Sequence, residues 1–333
     1  MCTMTISIQR FSETVGLLAD ENVLPQMQRW QAEGRRTALV TLVGVEGGAP
    51  RLPGAQMAVA EDGTYLGYLS GGCLEQAVVL EAQSAIRDGC NRLVRYGKGS
   101  PYFDVKLPCG SGLDLYIDQS LTSQSLAEIA AHSANRRASV LRTDLSSGAS
   151  RVEIVPAELP IAASSRDGDV FERVYVPPLQ LLLLGNGPSL VGIATMARAI
   201  GLDVQISSLD ETTRAALARH GLHAAMDETR SCSAIQQLDF ASAAVLVFHE
   251  HEKELDIMSE LLKTNCFYIG ALGNHAVHRD RIAALTLQGI DESDLQRIRA
   301  PVGCIPAAKS MATLAVGVLA EMMTEAKTLN LVS

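Results

Sequence analysis

The strongest constraint on the fold is a strand-like run that ends in a glycine turn and opens a helix. Leu179 to Leu184 is apolar almost throughout, which suits a parallel strand covered on both faces. Gly185-Asn186-Gly187-Pro188 follows at once. The first glycine permits a tight turn, and the second lets a phosphate approach the positive end of a helix. Pro188 suits the first turn of that helix, and Leu190, Ile193, Ala194 and Ala197 mark its buried face. Strands are then expected at Asp203–Leu209, Ala243–Phe248 and Cys266–Ile269. Helices are expected at Thr212–His220 and Leu255–Lys263, with two or three more closing the chain, the last from about Ala308 to Glu325. This alternation predicts a Rossmann-like, doubly wound parallel sheet over 177–333.

Pro177-Pro178 marks the boundary with a first domain over 1–176, because paired prolines favour extended chain. There, Val23, Met27 and Trp30 recur at helical spacing before Gly34. Thr37–Val45 reads as a strand, and Gln56–Ala60 and Thr64–Leu69 as a hairpin around Asp62-Gly63. A helix is expected to open at Ser70-Gly71-Gly72, with Leu74, Val78, Ala82, Ala85 and Ile86 inward and Gly89 at its end. Arg92–Tyr96 and Leu113–Ile117 are two further strands, and 121–176 holds one helix, Leu126–Ser133, and a few strands. The fold class is therefore α/β, with a mixed N-terminal domain preceding the Rossmann-like one.

Composition excludes several function classes. The formal net charge is −9, and both halves are net negative. A nucleic-acid or anionic-membrane binder needs a basic face. The longest apolar stretch, near Met311–Met323, is short of the roughly 20 residues of a membrane span. No basic segment leads into an apolar run near Met1, so a cytoplasmic protein is expected. The seven cysteines form no CxxC pair, and reduced thiols are the expectation.

Several short segments can carry chemistry. Cys73 in Ser70-Gly71-Gly72-Cys73-Leu74-Glu75 is expected in the first turn of a helix, where the dipole favours a thiolate. The competing reading is a small buried cysteine at a crowded turn. Gly47 to Gly54 is a rigid loop that could offer N–H groups and Arg51 to an anion, or an ordinary connection with a solvated arginine. Cys109 in Cys109-Gly110-Ser111-Gly112 is a second thiol in a glycine loop; with Cys73 it could pass sulfur or hold a soft metal, or the two could be unrelated. Asp210 lies after the second strand of the alternating region, where a ribose-binding acid is expected, although Leu190 replaces the third glycine of the dinucleotide fingerprint. His249-Glu250-His251-Glu252 falls at the carboxyl end of a strand but lacks metalloprotease spacing.

Taken in order, these segments resemble the xanthine dehydrogenase accessory family. The resemblance rests on Gly48-Ala49-Pro50-Arg51, Pro53-Gly54-Ala55-Gln56-Met57, Asp62-Gly63, Gly67, Gly71-Gly72-Cys73-Leu74-Glu75 and Cys109-Gly110. It continues through Leu184-Gly185-Asn186-Gly187-Pro188, Asp210, His249 to Asp256, Tyr268 to Gly273 and Ile298 to Gly303. Two stretches depart from the family pattern: Glu211-Thr212-Thr213 after Asp210, and Cys304 to Ala308 after Gly303. The family consists of maturation factors of molybdenum hydroxylases. The resemblance implies a chaperone that binds the molybdenum cofactor as cargo, in its molybdopterin or cytosine dinucleotide form. It implies protection of the cofactor while a cysteine desulfurase installs its terminal sulfur, and delivery to a xanthine dehydrogenase or aldehyde oxidoreductase client. Arg51, Gly71, Gly72, Cys73, Glu75, Cys109, Gly185, Gly187 and Asp210 are the expected cofactor-binding residues, with no catalytic set. A homodimer is compatible with this role. Two rivals remain at this level: an NAD(P)-dependent oxidoreductase built on Gly185, Gly187 and Asp210, and a scaffold that bridges desulfurase and client without holding cofactor.

Overall fold

A computed structural model describes residues 22–70, 74–100, 110–157, 159–227, 233–248 and 251–332, with the backbone alone at 251–253. The chain divides into two compact units, Met1–Tyr175 and Val176–Ser333.

The first unit opens with α1 (Leu24–Ala32), β1 (Thr37–Glu46), β2 (Gln56–Ala60), β3 (Tyr65–Gly67), α2 (Glu75–Asp88), β4 (Arg92–Gly97) and β5 (Gly112–Asp118). Its strands form an antiparallel sheet in the order β3-β2-β1-β5-β4. Both faces are covered, so β1 buries its side chains on alternate sides. Ala38, Val40 and Leu42 meet Val78, Ala82 and Ile86 of α2 in one core. Leu39 packs with Met27 and Trp30 of α1 in another. The helical spacing of α1 is thus accounted for, and the Asp62-Gly63 hairpin closes with Asp62 Oδ1 accepting from Thr64 N.

The unit continues with α3 (Ser123–Ala134), β6 (Ser139–Asp144), β7 (Ser150–Ile154), β8 (Ser165–Asp167) and β9 (Val170–Tyr175). These strands make a second antiparallel sheet, β7-β6-β9-β8. It faces the first through Val43, Tyr116, Leu145 and Phe171. A polar seam joins the sheets: Tyr175 OH donates to Gln56 Oε1 at 3.0 Å, and Gln56 Nε2 donates to Thr41 Oγ1 at 3.1 Å.

The second unit contains β10 (Gln180–Gly185), α4 (Pro188–Ala199), β11 (Asp203–Ser207), α5 (Glu211–Arg219), α6 (Ser233–Gln236), β12 (Ser242–Val247), α7 (His251–Leu262), β13 (Tyr268–Ala271), α8 (His275–Leu287), α9 (Glu292–Leu295), β14 (Ile298–Arg299) and α10 (Met311–Thr328). The sheet is parallel throughout, in the order β11-β10-β12-β13-β14. Ala225 adds a parallel bridge to Ser207 outside β11. Counting that bridge as a strand reduced to one residue, the order becomes 3-2-1-4-5-6, that of a dinucleotide-binding fold. The expected doubly wound architecture is therefore present. Among the described residues, no helix is long and apolar enough to cross a membrane.

Candidate functional site

Strand direction decides which loops of the first unit meet. Glu46, the last residue of β1, pairs with Gly112, the first of β5, and Gly112 also pairs with Gly97, the last of β4. β2 begins at Gln56 opposite Thr41 of β1, and β3 ends at Gly67 opposite Met57. The segments 47–55, 68–74 and 98–111 consequently all leave the same end of one sheet. They are the segments that carry Arg51, Cys73 and Cys109 in the sequence. Gly71, Gly72, Cys73 and most of the third segment, with Cys109, lie outside the described residues.

The bases of all three segments are built from charged side chains. Arg95 donates from Nη1 to both carboxylate oxygens of Asp114, at 3.0 and 3.1 Å, and pairs with Glu46 through Nη2. Lys98 Nζ stands 2.7 Å from Glu46 Oε1. This network clamps the roots of the first and third segments. Its partners hold the Glu46 carboxyl below the usual range, with Lys98 acting most and Arg95 next. Arg51 donates from Nη1 to Tyr68 OH at 2.9 Å, and its guanidinium stacks 4.6 Å above the Tyr68 ring. Stacking on the exposed Tyr68 ring orients the guanidinium.

Glu75 occupies a different place from the one its motif suggests. It is buried. Oε1 accepts from the amides of Leu69 and Ser70 at 3.0 and 2.9 Å, and Oε2 accepts from Ser70 Oγ at 2.9 Å and Leu74 N at 3.2 Å. Burial works to raise its pKa, but the Ser70 and Leu69 donors outweigh it and hold the carboxyl below the usual range. The side chain is thus a hub that ties Leu69, Ser70 and Leu74 together. The helix start also differs from expectation: Leu74 is the N-cap and α2 begins at Glu75, so its first turn lies after Cys73.

In the second unit, Gly185, Gly187 and Asp210 do come together. Gly185 has φ +125°, and a Cβ there would stand 2.2 Å from Val247 O, so only glycine lets β10 turn beside β12. Gly187 caps α4, with Pro188 in its first turn. The groups expected to meet a nucleotide bond to one another instead. Gly187 N donates to Thr213 Oγ1 at 2.8 Å, and Thr213 Oγ1 donates to Asp210 Oδ2 at 2.6 Å. Asp210 is also the N-cap of α5, accepting from Thr213 N at 2.7 Å. These Thr213 bonds lower its pKa. Thr213, part of the departure from the family pattern, thus fills the space between phosphate donor and ribose acid.

Sequence reading missed Arg281. Its side chain is 2% exposed and lies 2.9 Å from Glu254, itself 1% exposed. The signal was a polar stripe on α8, His275, His278 and Arg281 at spacings of three, beginning just after the turn at Gly273-Asn274. His249 and Glu250 lie outside the described residues. Among the described residues, no group of three or more His, Cys, Asp or Glu is placed to hold a metal.

Comparison with known proteins agrees with this division. Residues 30–97 match the XdhC and CoxI family, and residues 181–322 match the XdhC Rossmann domain. The chain is 34% identical over 292 residues to the molybdenum cofactor insertion chaperone PaoD of Escherichia coli, covering 87% of this chain and 83% of that protein. It is 26% identical over 319 residues to a probable xanthine dehydrogenase subunit of Bacillus subtilis, covering 87% and 93%. A crystal structure described as a xanthine dehydrogenase from Bacillus halodurans shares the fold, with a TM-score of 0.70 at 18% identity, covering 92% of this chain and 96% of that one. Two family matches in the same order as the two units, and a one-third-identical relative spanning most of both chains, lead to one conclusion: this chain belongs to the XdhC and CoxI family of xanthine dehydrogenase accessory proteins.

Proposed function

We propose that this chain is a carrier of the molybdenum cofactor that serves the maturation of a molybdenum hydroxylase. The observation that carries the reading is the convergence of segments 47–55, 68–74 and 98–111 on one end of the first sheet. That end gathers a stacked arginine and, by sequence position, two thiols. The cofactor is an anionic, oxygen-labile dithiolene. A carrier must offer it donors, hold it away from water, and release it. Arg51 would bind an anionic group, and Cys73 and Cys109 would face the molybdenum or the incoming sulfur. Glu75 and the Arg95 network hold the roots of these segments, so the binding loops can adjust without loosening the sheet.

In this reading a cysteine desulfurase supplies the terminal sulfur while the cofactor is held, and a xanthine dehydrogenase or aldehyde oxidoreductase receives it. The name of the Escherichia coli relative, a cofactor insertion chaperone, supports the carrier role. The cargo would be molybdopterin or its cytosine dinucleotide, and the working unit a homodimer in the cytoplasm. The bonds among Gly187, Thr213 and Asp210 argue against the nicotinamide alternative, because the groups such a cofactor needs are satisfied within the fold.

The test is cofactor retention. Protein purified without oxygen after co-production with the cofactor pathway should release a pterin fluorophore on oxidative denaturation. Cys73→Ser should lower both retention and client activation by at least about tenfold, the loss of one strong ligand contact. Full retention and activation in Cys73→Ser and Cys109→Ser alike would reject the thiol roles. Saturable NAD(P)H binding without pterin would reject the carrier.

A further inference from the structure

The Arg281–Glu254 pair has more donors than the fold uses. Arg281 Nη2 donates to Glu254 Oε1 at 2.9 Å and to Leu272 O at 2.8 Å. Arg281 Nε and Nη1 are buried and meet no acceptor, and His278 Nδ1, one turn earlier on α8, is buried and unmatched as well. A buried N–H without an acceptor is destabilising, and more so when it is charged. Three such N–H groups on one guanidinium are a poor way to stabilise a core, where an apolar side chain of similar reach does better. Their arrangement calls for an acceptor from outside.

Position says what kind. Leu272 and Gly273 directly follow β13, and Arg281 Nη2 lies 3.6 Å from where a Cβ on Gly273 would stand. The guanidinium therefore sits at the carboxyl edge of the parallel sheet, where this architecture receives ligands. At the start of α8 the amides of Ala276 and Val277 are already taken by Asn274 Oδ1. Burial first, then the charges of Arg281 and His275, push His278 below its usual pKa. The shift favours the neutral imidazole, whose Nδ1 can donate when it carries the ring proton. Glu254 balances the arginine charge, so an arriving anion meets strong donors without a large net attraction. That combination favours binding that can be reversed.

We propose that Arg281 and His278 form an oxyanion subsite in the second unit that takes a phosphate oxygen of the cofactor cargo. The assignment to cargo rests on the carrier reading above; the subsite itself does not. Isothermal titration of the full, cofactor-free chain with inorganic phosphate tests it. The wild type should show saturable heat. Arg281→Lys keeps the charge opposite Glu254 but loses the fork, and should weaken binding at least about tenfold, the worth of one charge-assisted hydrogen bond. Glu254→Gln keeps an acceptor for Nη2 and removes the counter-charge, so phosphate should bind more tightly, whereas a purely structural pair would show only a lower Tm. Circular dichroism confirms that each variant is folded. Absent heat in the wild type, or equal affinity in folded Arg281→Lys, overturns the subsite. Loss of the phosphate heat in cofactor-loaded protein assigns the subsite to the cargo, and undiminished heat overturns that assignment. Cofactor retention without phosphate binding sinks the subsite and leaves the carrier standing. Arg281-dependent phosphate binding without any retained cofactor does the reverse.

Discussion

The carboxylate of Glu75 accepts from three backbone amides and one hydroxyl while buried. Glu75→Gln would turn an NH2 group toward some of those donors. Stability should fall by about 1–3 kcal/mol, the cost of leaving buried donors unmatched. Because the folded pKa of Glu75 is depressed, its contribution is present above the unfolded value of 4.5 and is lost as pH falls through the folded one. The variant should therefore lose stability at neutral pH yet show a shallower acid limb than the wild type in urea melts from pH 7 to pH 3. An equally steep limb would contradict the hub role. Thr213→Val is the matching change in the second unit. It removes the hydroxyl between Gly187 N and Asp210 while Asp210 Oδ2 can still accept from the amide at position 213 and cap α5. A shift of the urea midpoint worth roughly 1–3 kcal/mol, with unchanged slope, is expected. The sequence singled out Glu75 and Asp210 as candidate cofactor-binding residues, but residue type and spacing alone do not distinguish a carboxylate aimed at a ligand from one aimed at its own backbone.

Elements were easiest to read where burial was lopsided or complete. α1, β1, β10 and α4 stood out because an apolar stripe or run faces a core. β7 and β8 did not, because β8 is short and fully exposed and β7, although Val152 packs onto a core, buries none of its side chains completely. The start of α2 was expected at Ser70-Gly71-Gly72 and lies at Glu75, behind a Leu74 N-cap that makes no side-chain cap hydrogen bond and so leaves no capping signal in the sequence. The Gly185 turn gives an element-scale prediction. Gly185→Ala places a methyl 2.2 Å from Val247 O at φ +125°, whereas Gly289→Ala, at φ +83°, meets nothing within 4 Å. Gly289→Ala should cost about 1–2 kcal/mol for the left-handed backbone alone. Gly185→Ala carries steric overlap as well, and should separate β10 from β12 and lower the Tm well beyond Gly289→Ala. Equal melting of the two variants would mean that β10 and β12 yield easily, and that the close approach is not what selects glycine.

At the scale of the whole molecule, each unit owns its core. The first packs its sheet against α2 on one face and against α1 on the other, and the second packs β10, β12 and β13 with α7 and α8. A chain with net charge −9 can hold an anionic cargo only through local donors that outweigh the overall field. The two units offer different donors: a stacked arginine near two thiol-bearing segments in the first, and a buried guanidinium in the second. Residues 176–333 produced alone should therefore fold, with a cooperative melt, because among the described residues the cluster around β12 and β13 is drawn entirely from that unit. If the phosphate-binding role of Arg281 holds, the fragment should keep the phosphate affinity of the full chain and its sensitivity to Arg281→Lys, yet retain no molybdenum after gel filtration. A fragment that folds but binds phosphate at least about tenfold more weakly would show that the first unit contributes to that subsite. A fragment that still carries molybdenum would remove the thiol-bearing segments from the binding of the metal end.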